Sequence, residues 1–152
     1  MRKFPRRWRN IPRLWRNITV LSLLLPASCA MPPQNPFLGA WATPEHNRIT
    51  FRDATLVINP TGQPATELNP QACAGKFRFG YGRKSRDELA GLVQRQPDLR
   101  SQLGSMLQQP DYPVAELGCD QGSNTYVLLD DRDLLAIYRD GDIAAVERLS
   151  RL

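Results

Sequence analysis

The stretch VAELGCDQGSNTYVLLDDRDLLAIYRDGDIAAVERL, residues 114–149, decides the fold. Four runs, Val114–Cys119, Thr125–Leu129, Asp133–Tyr138 and Ile143–Leu149, are separated by the polar segments Asp120–Asn124, Asp130–Arg132 and Arg139–Asp142. Short apolar runs bounded by Asp, Asn, Gly and Ser are strands joined by tight turns, so the stretch reads as an antiparallel meander. Asp140-Gly141 is the most specific turn signal, because a two-residue type I′ hairpin needs φ > 0 at both central positions and Asp-Gly tolerates that. The charges of Thr125–Leu149 fall mostly at turns, which predicts a stable sheet with little inward-facing chemistry.

Upstream, Lys76-Phe77-Arg78-Phe79-Gly80-Tyr81 alternates at period two and places Phe77, Phe79 and Tyr81 on one face, which belongs in the core. Between this strand and the meander, Ser85-Arg86-Asp87-Glu88 fits a capping box, followed by the apolar stripe Leu89, Leu92, Val93. Pro97 ends that helix, and Asp98 is placed to cap a second one carrying Leu99, Leu103, Met106 and Leu107 before Pro110. Narrow stripes flanked by mixed charges predict helices that pack on the domain's own sheet. Nearer the N-terminus, Arg48–Arg52 and Thr55–Asn59 read as strands joined at Asp53-Ala54, with a proline-broken loop through Pro64 and Pro70 after them. The fold class is therefore mainly β (α+β): an antiparallel meander or small β-barrel with a two-helix insertion at about 85–109.

The first segment bears on location. Met1–Asn17 carries seven basic residues and no acidic one, and Ile18–Leu25 is a short apolar run broken by Pro26. That is the pattern of a secretory signal, too short to span hydrocarbon, which takes ~20 apolar residues. Leu25-Pro26-Ala27-Ser28-Cys29 resembles the lipobox of bacterial lipoproteins, although the leucine expected three positions before the cysteine is displaced by one. The resemblance implies lipidation of Cys29 and anchoring to the membrane through the N-terminal lipid. Ala30, where that family's sorting rule would read Asp, implies the periplasmic face of the outer membrane. Ser28 and Ala30 also suit ordinary cleavage after Ala30, which would give a soluble periplasmic protein. The chain divides into a signal peptide, 1–28, a proline-rich tether, 29–36, and a single domain, 37–152.

Charge and cysteine usage follow from this division. The chain has 20 basic and 15 acidic residues, and the segment up to Cys29 accounts for seven of the basic ones. That leaves 13 against 15, or −2, so the basic balance belongs to the signal and no nucleic-acid partner is expected. Export leaves Cys73 and Cys119 as an even pair in an oxidising compartment, where they are expected to form a disulfide.

Phe37-Leu38-Gly39-Ala40-Trp41 opens the domain, and glycine followed two positions later by tryptophan resembles the first strand of lipocalin-like and avidin-like barrels. The resemblance implies that the glycine lets the backbone bend and the tryptophan plugs one end of a barrel. It also implies a binder or inhibitor that uses the barrel mouth and loops.

The chemistry-bearing residues are sparse. His46, the single histidine, lies in the turn Thr43–Asn47 with no nucleophile motif nearby and reads as a solvated loop residue. Asp130, Asp131 and Asp133 lack the glycine and distal glutamate of a calcium loop and read as hairpin residues and edge charges. No catalytic residue, cofactor or metal is expected. The functional expectation is a non-catalytic cell-envelope lipoprotein acting as a binding or inhibitor module. The alternative is a structural or assembly lipoprotein, and in either case the partner is an envelope protein. Recognition is expected on the loops Ala42–Asn47, Asn59–Ala72 and Gln108–Pro113.

Overall fold

The structure, a computed structural model, describes residues 35–73, 76–119 and 122–152. The signal peptide, Cys29 and most of the tether lie outside the described residues. Among the described residues nine antiparallel strands form one curled half-barrel sheet, with 49% of those residues in strands against 15% in helices. The strands are β1 (Gly39–Ala42), β2 (Arg48–Phe51), β3 (Leu56–Asn59), β4 (Thr66–Leu68), β5 (Arg78–Ser85), β6 (Asp111–Cys119), β7 (Gly122–Leu128), β8 (Asp133–Asp140) and β9 (Ile143–Arg151). Their order, β4-β3-β2-β1-β9-β8-β7-β6-β5, is two meanders joined where the first strand pairs with the last. The quoted stretch is thus β6–β9, each strand extending two or three residues beyond its apolar run at one end, while β7 stops one residue short, at Leu128.

Alternation within those strands explains why both faces are apolar. On the concave face Ala115, Leu117, Tyr126, Leu134, Ala136 and Leu149 meet Phe37, Trp41, Ile49, Phe51 and Leu56 from the N-terminal meander. On the convex face Tyr112, Val114, Val127, Leu135 and Ile137 meet Leu89, Val93, Leu103 and Leu107 from the helices α1 (Arg86–Leu92) and α2 (Pro97–Met106). Leu134, Leu135, Ala136 and Ile137 are all fully buried, as a strand covered on both sides must be. Each such leucine or isoleucine contributes roughly 1.5–3 kcal/mol relative to exposure. The capping box forms: Glu88 N donates to Ser85 Oγ at 3.2 Å and Ser85 N donates to Glu88 Oε2 at 2.7 Å.

Trp41 Nε1 donates to the Phe37 carbonyl at 3.0 Å, so the buried indole ties β1 to the turn before it. The Arg151 guanidinium lies 4.2 Å from the Trp41 ring centroid and donates to the carbonyls of Pro36, Leu38 and Asp131. One side chain thereby joins the start of the fold, its last strand and the β7–β8 turn. Cys73 and Cys119 form a disulfide with Cα atoms 5.0 Å apart, pinning the β4–β5 connection to the end of β6.

Four local expectations are corrected. In the last hairpin Asp140 pairs with Ile143, so the two-residue loop is Gly141-Asp142. Only Gly141 has positive φ, 58°, the sign pattern of a type II′ turn with glycine first. The second helix starts with Pro97 at its first position, and its N-cap is Gln96, with Asp98 inside the first turn. The loop Asn59–Ala72 contains β4, whose Leu68 packs on the concave core. Asp133 begins an interior strand and pairs with Arg148 of β9 at 2.7 Å, so it is no edge charge. Asp130 does act as a hairpin residue, accepting from Arg132 N and Asp133 N.

Candidate functional site in the concave mouth

The half-barrel is filled at one end and open at the other. Register assigns the concave face in rows across the sheet: Leu149 with Leu134 and Leu128, then Glu147 with Ala136 and Tyr126, then Ala145 with Tyr138 and Asn124, and last Ile143 with Asp140 and Gly122. The first row is core. Moving toward the disulfide end the rows become polar or small, and Ile143 is 72% exposed. An open groove of about 610 Å³ follows, floored by Cys119, Asn124, Tyr138, Ala145 and Ile143.

Polar groups are ordered along the boundary between core and groove. Tyr138 Oη donates to Glu147 Oε2 at 3.1 Å, and Asn124 Nδ2 donates to the Tyr126 hydroxyl at 3.4 Å. The β1–β2 turn brings a second carboxyl, Glu45, close enough to Glu147 for each to shift the other's ionisation. That turn is held by Thr43 N donating to the Asn47 carbonyl and Asn47 N donating to Thr43 Oγ1. Thr61 of the β3–β4 turn braces it, with N donating to Asn47 Oδ1 at 3.0 Å.

The electrostatics follow from burial and from this pairing. Burial pushes the Glu147 carboxyl above the usual carboxylate range, and the Glu45 contact adds to it. The neighbouring Glu147 carboxyl holds Glu45 below that range. Burial raises the Tyr126 and Tyr138 hydroxyls, so both stay protonated donors across the neutral range. The arrangement offers hydrogen-bond donors and acceptors on a rigid floor.

His46 occupies the left-handed position of the same turn, φ 64°, with an exposed side chain. The three expected recognition loops do not share one end. Ala42–Asn47 and the Pro60–Ala65 turn lie toward the mouth, but Gln108–Pro113 leads into the start of β6, at the opposite end. There Tyr112 is buried and its hydroxyl accepts from Gln109 N. No group of three or more metal-ligating side chains occurs among the described residues. The expectation of little inward chemistry missed Glu147, although Ile143, Ala145, Glu147 and Leu149 are consecutive same-face positions at period two. Glu45 carried no comparable signal, since its approach to Glu147 depends on the β1–β9 pairing. No protein-family profile, curated protein or solved structure matches the chain.

Proposed function

We propose that the protein is a non-catalytic binding or inhibitor module of the cell envelope that takes part of another envelope protein into its concave mouth. One observation carries this reading: a scaffold buried on both faces and pinned by a disulfide leaves one end of its concave surface open, with ordered polar groups at its edge. Rigid scaffolds presenting a preformed mouth bind without a large ordering cost. The exposed Ile143 beside that floor supplies an apolar contact of the kind that anchors interfaces. The lipobox-like segment adds that the module works at the outer membrane through lipid on Cys29, as a peripheral receptor or inhibitor.

Titration of the purified protein against secreted proteases and lysozymes tests the reading. Expected is stoichiometric inhibition or complex formation that Ala145→Arg, which fills the groove, weakens at least tenfold while the fold is retained. A substrate turnover that His46→Ala abolishes in a folded protein would overturn it in favour of an enzyme.

A further inference from the structure

The sheet ends in two edges that differ. β4 is three residues long, whereas β5 is eight, roughly 27 Å of strand, and among the described residues it pairs only with β6. Every second residue of β5 therefore turns its N–H and C=O away from β6 with no strand to receive them. Edges of this length are ordinarily covered, bulged or shortened.

Its side chains are also unusual. On the convex face Gly80 and Gly82 leave the strand bare, and a Cβ at either would meet nothing within 4 Å. Neither glycine has left-handed φ, so neither the backbone nor the packing of this chain requires it. Glycine inside a strand is destabilising and marks a bulge, a tight bend or the close approach of another backbone, and the pairing of β5 with β6 runs residue for residue without a bulge. On the concave face Phe77, Phe79 and Tyr81 form a ladder of half-buried rings, with centroids 6.3 and 5.2 Å apart along the edge. Lys76, Arg78, Arg83 and Lys84 run along the same segment, and only Arg83 and Lys84 meet carboxylates among the described residues, Asp111 and Glu116. Four cations against two anions leave the edge positive.

From this we infer that β5 is a strand-docking site for an extended segment of another protein that alternates apolar and acidic residues. The incoming strand takes the free amides and carbonyls of β5, sets its apolar side chains on the aromatic ladder and directs a carboxylate to Arg78 over the bare strip. A second copy of this chain is the wrong occupant, because antiparallel pairing of β5 with itself places like charges across the ladder. The site is separate from the concave mouth and stands or falls without it.

A ten-residue peptide alternating Glu and Val, with Lys-Val and backbone N-methylated Glu-Val versions as controls, tests the assignment by fluorescence anisotropy and amide exchange. The expected result is binding of Glu-Val with new protection of β5 amides, weakened at least tenfold by N-methylation and by Arg78→Glu. Absence of binding at millimolar peptide, equal binding of the Lys-Val or N-methylated peptide, or protection in β4 or at the mouth overturns it. So does sedimentation of the free protein as a dimer with β5 protected, which would make a second copy the occupant. Circular dichroism of Arg78→Glu separates lost binding from lost structure, and an unfolded variant is replaced by Arg78→Gln.

Discussion

Removing the disulfide in a Cys73→Ala/Cys119→Ala variant isolates what the cross-link contributes. The two cysteines are 46 residues apart, and the loop they close includes β5, both helices and β6. On the chain-entropy relation a loop of that length restricts the unfolded ensemble by about 4 kcal/mol at 25 °C. Losing the packing of the buried Cys73 sulfur, which is fully inaccessible, adds to this. A single domain is stabilised by only about 5–15 kcal/mol, so the variant should remain folded with a much reduced margin. With a urea slope near 1.5 kcal/mol/M, the midpoint should fall by roughly 2–3 M, and the slope should steepen as the released unfolded chain exposes more surface. Equilibrium urea unfolding followed by tryptophan fluorescence measures both quantities, with Trp41 reporting on the concave core. A midpoint shift below about 0.5 M at equal slope would refute the reasoning, since the cross-link would then restrict nothing that the strands do not already hold.

Three further outcomes are expected. Ser85→Ala removes the cap of α1 and should destabilise by about 1 kcal/mol, with a smaller loss for Ser85→Asp, read from the same urea curves. Arg151→Met keeps the stem over Trp41 but removes the charge and three carbonyl contacts, so a loss of about 2 kcal/mol and a changed indole emission are expected. Glu147, whose carboxyl is raised by burial, contributes stability that is present below the ordinary glutamate range and lost as pH rises through its raised value; Glu45, held low by Glu147, acts in the opposite sense as pH falls. Glu147→Gln should therefore flatten the decline in urea midpoint on the alkaline side of about pH 4.3, and a decline of unchanged size would assign it to other groups.

The β6–β9 meander was legible because it satisfies two signals at once, apolar runs of strand length and turns rich in Asp, Gly and Asn. The same runs did not reveal that both faces are covered. Leu134–Ile137 is simply apolar, and only the placement of α1 and α2 on the convex side explains why no polar residue interrupts it. The turn at Asp140–Ile143 shifted by one residue because Asp-Gly and Gly-Asp are both acceptable hairpin pairs, and the overlapping triplet Asp140-Gly141-Asp142 contains each. Strand pairing across the sheet decided between them. β4 escaped notice for a different reason: three residues between prolines are too few to show alternation, and the strand exists because Leu56, Val57 and Ile58 of β3 offer an edge.

The mouth is where sequence reasoning loses purchase, and the reason is topological. Among the described residues, pairing of β1 with β9 is the one backbone strand pairing between the two meanders, and it involves residues more than 100 positions apart, Trp41 with Arg151 and Ala42 with Ser150. Continuing that register past the short β1 brings the Thr43–Asn47 turn alongside Glu147, so a turn glutamate and a strand glutamate with no local relationship come to shift each other's ionisation. Each half is unremarkable by itself: Glu45 sits in an exposed turn and Glu147 in an alternating strand. The disulfide enters the same geometry from the other side, because Cys119 contributes to the groove floor next to Gly122 and Asn124. Loop residues, long-range pairing and cross-link therefore converge on the end of the half-barrel that the core does not fill. A partner bound there meets a surface fixed by the whole sheet, which is why Ala145→Arg, a substitution at an exposed strand position, is expected to cost binding and leave stability nearly untouched.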